Sequence, residues 1–461
     1  MQDDHEQALG TAADMGIAWL RSLPKRPVAP TATMDQLRSA FVSELPEHGL
    51  PATDVLRDLA AAAEPGTVAM AGPRYFGFVI GGSHPAALGA DWLSSAWDQN
   101  AGLVVGGPAA AVAEELAGQW VLDLLGLPAA ASFALVTGCQ MAHFTALAAA
   151  RHHVLSAAGW DLATEGLFGA PPLTVVVGGE RHVTVDRALR FLGIGRSSIL
   201  HVPADDQGRM RTDQLPLLLR DLEGPVIVCA QAGNVNTGAF DDIAAICDVA
   251  HDSHAWVHVD GAFGMWAAAS PKYAHLVNGI ERADSWATDA HKWLNVPFDC
   301  GIAVVAHPRS HRAAMSVHAD YLEHDTHGDR DQMDWNPEFS RRARGFPLYA
   351  VLRAWGREGV AAVVERCCDH ARRFAETLAV RPDVEIVNDV VLNQVLVRFG
   401  NDDERTRAVV AGVQKDGTCW LSGTTYQGRA AMRISVVNWS TTTDDVDQSA
   451  EAILRVAATI S

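Results

Sequence analysis

The sequence predicts an α/β protein whose central sheet is covered by helices on both faces, followed by a smaller α+β domain. Three observations carry this. Between about 85 and 315, short β-branched runs (173–177, 198–202, 226–230, 256–259, 301–305) alternate with helical or loop segments, the pattern of strands buried on both faces. After Pro337 a long helical stretch, 348–378, precedes strands near 384–387, 393–399 and 431–437. Ahead of both, 36–44 and 54–63 carry apolar residues at helical spacing, with Pro-rich breaks at 24–30 and 46–51.

Bulk properties narrow the class. A chain of 461 residues is long enough for two or three domains. With 48% hydrophobic and 20% charged residues it reads as a soluble globular protein. The net charge of −19 argues against a nucleic-acid surface, which needs clustered Lys and Arg. The start, MQDDHEQALGTAADMG, is acidic and lacks the basic-then-apolar pattern of a secretory signal. Apolar runs such as 146–150 are too short to span a membrane. Seven cysteines, an odd number set mostly in apolar stretches, point to reduced, buried thiols in a cytoplasmic protein. Cys139 differs, because it falls in a candidate phosphate loop.

Five segments carry candidate chemistry. In HVDGAFG (258–264) an apolar strand runs into Asp260, placing a carboxylate where ligand crevices form in open α/β sheets; capping the following turn is the competing role. In TDAHKWLNVPFDCG (288–301) Lys292 lies among Trp293, Leu294 and Phe298. Desolvation there would lower its pKa and make it a nucleophile, although a lysine beside a tryptophan is more often a snorkelling surface residue. His291 next to it suggests a shared anion. ALVTGCQMAHFTALAAAR (134–151) joins a strand ending at Thr137–Gly138 to a helix, and free N–H groups at a helix start cradle phosphate. ERHVTVDRALR (180–190) contains His182, which alone reads equally as a half-buried loop residue. QAGNVNTGAFDDI (231–243) is a turn-rich segment after a strand.

In that order the segments resemble the group II pyridoxal phosphate (PLP)-dependent amino-acid decarboxylases, which act on aromatic amino acids and glutamate. PRYFGF (73–78), HVDGA, DAHKW, SRRARG (340–345) and GRAAMRISVVNWSTT (428–442) carry the resemblance over nearly the whole chain. It implies the aspartate-aminotransferase fold, fold type I: a helical arm over 1–85 that wraps a dimer partner, a doubly wound PLP-binding domain over 86–335 and a small domain over 336–461. It implies a homodimer with shared active sites, an L-amino acid as substrate and pyridoxal 5'-phosphate as cofactor. Lys292 matches the Schiff-base lysine, Asp260 the partner of the ring nitrogen, Ala262 a small residue under the ring and His182 the imidazole stacked above it. Gly138, Cys139 and Gln140 match the phosphate turn, with His291 adding a side-chain contact. Asn234 falls where relatives more often carry Thr, and Asp289 where some have Asn.

One departure bears on the reaction. Decarboxylating relatives carry a loop Tyr that protonates the carbanion, and here HDTHGDRDQMDW (324–335) has Gln332 or Met333 at that place. His324, His327 and Tyr321 are the substitute donors the segment offers, and the two histidines titrate in the right range. Loss of that Tyr is associated with oxidative deamination to an aldehyde, and cleavage of Cα–Cβ is a further alternative. Phe78 and Val79 suggest an apolar side-chain pocket or, equally, core packing. Arg344 and Arg433 read as structural ion pairs before carboxylate binders. A non-catalytic metal-binding protein is a remote alternative, prompted by His251, His254 and His258.

Overall fold

The computed structural model describes residues 2–317 and 328–460, in two compact units. One comprises residues 81–372 and 388–395, the other 1–80, 373–387 and 396–461.

The larger unit is built on seven strands: β1 (Ser132–Val136), β2 (Thr174–Gly178), β3 (Ile199–Val202), β4 (Val226–Gln231), β5 (Trp256–Asp260), β6 (Ser285–Asp289) and β7 (Gly301–Val305). Their order is β1-β7-β6-β5-β4-β2-β3. Pairings from β3 through β2, β4 and β5 to β6 are parallel, whereas β7 runs antiparallel to both neighbours. The sheet is therefore mixed. Every residue of β1, β4, β5, β6 and β7 is buried, as expected for strands with both faces covered. The helix Cys139–Ala157 covers one face. Its Ala146, Leu147, Ala149, Ala150 and Val154 pack against Val175, Val177, Ile227, Cys229 and Val305. A side chain at Gly301 would come within 2.4 Å of the Gly138 backbone, so glycine there lets β7 approach the start of this helix.

The parallel strands place polar groups together at one edge. Gln231 pairs with Asp260 across β4 and β5, Asp260 with Ala287 across β5 and β6, and Asp289 ends β6. Carboxyl ends of parallel strands are where open sheets form ligand crevices.

The second unit holds a four-stranded sheet of β8 (Val384–Ile386), β9 (Gln394–Phe399), β10 (Ser422–Tyr426) and β11 (Arg429–Ser435), in the order β10-β11-β9-β8. Gln427 and Gly428 join β10 to β11 with positive φ at both positions, the geometry of a tight hairpin turn. The N-terminal helices Gln2–Ser22, Met34–Ala40 and Ala52–Ala63 belong to this unit. Arg74 ties its segments together, donating to the carbonyls of Pro24 (2.7 Å) and Thr418 (2.7 Å). No helix among the described residues is long and apolar enough to cross a membrane.

Candidate active site

Asp260 closes β5 and is 4% exposed. Burial alone would raise its pKa, but His143, His182 and Lys292 overcome that and hold the carboxyl well below its usual range. His143 Nε2 stands 3.5 Å from Asp260 Oδ2. His143 lies on the helix Cys139–Ala157, one turn after Cys139, whose sulfur approaches the same nitrogen at 3.4 Å. The Asp260 carboxylate also accepts the Ala262 N–H at 3.2 Å, and Ala262 packs beside Cys139 and Ala142.

Lys292 follows β6, and its Nζ lies 3.0 Å from Asp289 Oδ2. The sequence predicts a lowered lysine pKa, and the structure corrects this. Burial does push the Lys292 ammonium down, but Asp289, with Cys139 and Asp260 behind it, outweighs burial and the net shift is upward. The other Asp289 oxygen accepts the Cys139 N–H at 2.6 Å and lies 3.5 Å from His291 Nε2. One carboxylate thus joins the start of the helix Cys139–Ala157 to the lysine. Gln140 Oε1 is buried with no hydrogen-bond partner among the described residues. His291 accepts the Cys300 N–H at 3.2 Å, and its ring packs on Phe298 at 4.5 Å. Burial lowers its pKa despite Asp289.

The backbone behind Lys292 is braced. A Cβ at Gly81 would lie 1.8 Å from the Lys292 carbonyl oxygen. Asn295 Oδ1 accepts the Gly82 N–H at 2.6 Å, and its carbonyl accepts the His84 N–H at 2.8 Å. Asn295 carries no motif of its own, and only its proximity to Gly82 and His84 in the fold reveals it.

His182 is half-buried and caps the helix Val183–Phe191, its Nδ1 2.7 Å from Thr184 Oγ1. Asn234 is buried with its whole amide engaged: Nδ2 donates to Glu180 O and Gln231 Oε1, and Oδ1 accepts from Asn236 and Thr237 N–H. An Asn has two donor hydrogens and two acceptor sites, so this side chain builds the turn, and any ligand contact would break one of these bonds. In the second unit Val79 is buried, whereas Phe78 is 55% exposed with its ring 5.3 Å from that of Trp420. Gln332 and Met333 are buried, Met333 N–H bonded to the Gly102 carbonyl. His324, His327 and Tyr321 lie outside the described residues. Arg344 pairs with Asp299 at 2.8 Å, in keeping with a structural role.

The three histidines of the metal-binding alternative do not cluster. His251 pairs with Asp284 at 3.1 Å, and the one metal-like group among the described residues is Cys139, His143 and Asp260, inside the site just described.

A lysine beside a buried carboxylate at the sheet edge, next to a glycine-led helix start, fits one cofactor, pyridoxal phosphate. The mixed seven-stranded sheet is that of fold type I. Residues 35–400 match the pyridoxal-dependent decarboxylase conserved domain, and the chain belongs to that family. An aromatic-L-amino-acid decarboxylase of Bacillus atrophaeus is 27% identical over 98% of this chain and 95% of its own length. A phenylacetaldehyde synthase of Arabidopsis thaliana is 26% identical over 91% and 88%. The crystal structure of Oryza sativa TDC with PLP and tryptamine superposes with a TM-score of 0.93, at 24% identity, covering 100% of this chain and 99% of that one. The protein is a PLP-dependent amino-acid carboxy-lyase.

Proposed function

We propose that this chain removes the α-carboxyl group of an aromatic L-amino acid as carbon dioxide, with Lys292 as the covalent anchor of the cofactor. The observation that carries the site assignment is two buried carboxylates, Asp260 and Asp289, set around one lysine at the ends of adjacent strands. The names of the relatives above support the aromatic side chain.

Pyridoxal phosphate, when bound, supplies a conjugated ring that takes up the electron pair left on Cα when carbon dioxide departs. Asp260 would pair with the ring nitrogen, and its low pKa keeps it ionised for that task. Gly138, Cys139 and Gln140 at the helix start, with His291, would hold the phosphate. Ala262 and His182 would bound the two ring faces. Asp289 orients Lys292, its Oδ2 3.0 Å from Nζ. Phe78 offers an exposed ring, braced by Trp420, for an apolar substrate side chain.

The proton for Cα would come from His324 or His327. Gln332 and Met333, buried where a tyrosine is expected, have no acidic proton. That absence, with the Arabidopsis relative, supports a second reading: decarboxylation followed by oxidative deamination to an aldehyde and ammonia, with dioxygen as the oxidant reduced to peroxide. We place the enzyme in the cytoplasm, a reading supported by seven buried cysteines, none of them in a disulfide among the described residues. We also read it as a homodimer. Exposed Trp92, Leu93 and Trp97 on the helix Pro85–Trp97 and Val112 and Leu116 on Pro108–Leu124 support that.

The test is product analysis with L-tryptophan, L-tyrosine, L-phenylalanine and L-DOPA. Amine and carbon dioxide in equal amounts are expected. Aldehyde, ammonia and peroxide would establish the second reading, and turnover of none of the four would reject the aromatic class. Borohydride reduction of the holoenzyme should fix the pyridoxyl group on the peptide containing Lys292; finding it on another lysine would remove the assignment.

A further inference from the structure

Four side chains that the chemistry above leaves unused form a buried line ending at Asp260. Trp256 Nε1 lies 2.8 Å from Ser285 Oγ, and Ser285 Oγ lies 2.9 Å from His258 Nδ1. His258 Nε2 lies 2.9 Å from His143 Nδ1, and His143 Nε2 faces Asp260 Oδ2 at 3.5 Å. Ser285, His258 and His143 are 0% exposed and Trp256 is 2% exposed. The residues come from three elements: Trp256 and His258 from β5, Ser285 from its register partner on β6, and His143 from the helix Cys139–Ala157.

The two ends decide the direction of every proton between them. An indole N–H can only donate, so Ser285 Oγ accepts from Trp256, and an ionised carboxylate can only accept. Ser285 then has one hydrogen to give, and it meets His258 Nδ1. His258 is left with its proton on Nε2, aimed at His143 Nδ1, and His143 with its proton on Nε2, aimed at Asp260. Each proton is used once along the line. The opposite chain would turn a bare nitrogen lone pair of His143 toward the carboxylate, and only the weak Cys139 thiol donor could then satisfy it. Asp260 Oδ2 would lose its histidine donor, leaving only the Ala262 N–H on Oδ1, a costly arrangement in a low-dielectric interior.

We propose that Trp256, Ser285, His258 and His143 form a hydrogen-bond relay that orients a donor onto Asp260 and holds that carboxylate in place for the cofactor. These four are positioning residues, since none of them is assigned to touch the cofactor or substrate. The proposal rests on the assignment of Asp260 to the ring nitrogen. It extends that assignment through two strands to an anchor, Trp256, outside the site. Burial, and then His143, lower the His258 pKa to about 3, which keeps it neutral at any working pH.

Nitrogen-15 spectra of histidine-labelled holoenzyme test the relay directly. Both His143 and His258 are expected to carry their proton on Nε2 and to be bare at Nδ1; the opposite tautomer at either residue overturns the proposal. A second measurement is cofactor affinity, read by titrating folded apoenzyme with pyridoxal phosphate. His258→Leu removes the donor to His143 and should raise the cofactor Kd about tenfold, the size of one hydrogen bond to a charged group. His258→Gln keeps an N–H near the Nε2 position and should restore binding to within about threefold of wild type. Equal loss in the two variants would mean a packing role only and overturn the relay. Asp260→Asn in the same titration separates the two levels. Weak binding in Asp260→Asn with normal binding in His258→Leu overturns the relay and leaves Asp260 assigned. Unchanged binding in Asp260→Asn overturns the assignment, and the relay's purpose with it.

Discussion

Replacing Asp260 by Asn changes one charge and almost no volume. The amide oxygen can still accept the Ala262 N–H and the His143 contact, so the fold should survive, with unfolding free energy within about 1 kcal/mol of wild type. What is lost is the anion proposed to face the ring nitrogen. Two unit charges about 3 Å apart at an effective dielectric of about 20 attract by about 5 kcal/mol, which is a ceiling. Asp260 is 4% exposed, so solvent screening trims little from that figure, but a neutral amide retains part of the hydrogen bond. A net loss of about 3 kcal/mol in the barrier follows, or at least about a hundredfold in kcat. The assay is carbon dioxide release under saturating substrate and cofactor, with circular dichroism and urea unfolding as checks on the fold. A folded Asp260→Asn variant that binds cofactor and turns over within about threefold of wild type would refute the reasoning.

Acid should destabilise the protein through buried neutral histidines. His258 and His311 have pKa values lowered to about 3 by burial, so relative to an unfolded value near 6.5 they stabilise the fold above pH 6.5 and lose that contribution as pH falls toward 3. Asp241 works the other way: burial raises it to about 6, so protonation below pH 6 favours the fold. Between pH 6.5 and 4.5 the two histidines lose about 5 kcal/mol and Asp241 returns about 2, a net loss of about 3 kcal/mol. Urea unfolding across that range reads it, and a flat profile would contradict it. Gly81→Ala should displace the Lys292 loop, because its Cβ would meet the Lys292 carbonyl at 1.8 Å, and cofactor content per chain should fall while the chain stays folded; full loading would contradict it. Phe78→Ala should raise KM for an aromatic substrate about tenfold or more, the value of burying one ring, with little change for a small aliphatic one.

Much of this could be read from the chain alone. Asp260 and Lys292 sit where the apolar strand and the aromatic-rich loop place them, and β2, β4, β5 and β7 lie within a residue of the runs that mark them. Strand β6 was hidden, because Ser-Trp-Ala-Thr-Asp lacks a β-branched run. Its polar residues are buried for reasons visible only in three dimensions. Ser285 accepts from Trp256, and Asp289 holds both Lys292 and the Cys139 amide. His143 was obscured in the same way. A histidine one turn into an alanine-rich helix carries no motif, yet its spacing from Cys139 puts both on one face. The direction of the Lys292 shift also escaped sequence reasoning. Apolar neighbours argue for desolvation, and nothing in linear order says that Asp289, three positions earlier, folds back to 3.0 Å.

That contact yields the last prediction. Lys292 is half-buried and Asp289 is 2% exposed, so in the apoenzyme each is the other's counter-ion. Removing one member of such a pair leaves the other charge without compensation, which typically costs about 3–5 kcal/mol. Asp289→Asn keeps an oxygen for the Cys139 N–H and so isolates the charge. Lys292→Met keeps the stem and removes the ammonium. Each single variant should be less stable than wild-type apoenzyme, the aspartate variant because a buried ammonium is stranded, the lysine variant because a buried carboxylate is. The double variant strands neither and should recover much of the loss. The measurement is a double-mutant cycle in urea on apoenzyme, where a coupling of at least about 2 kcal/mol is expected. A coupling within about 0.5 kcal/mol of zero would mean that solvent, not Asp289, compensates Lys292. The upward shift of the lysine would then have no physical basis, and Asp289 would be left with the helix start alone.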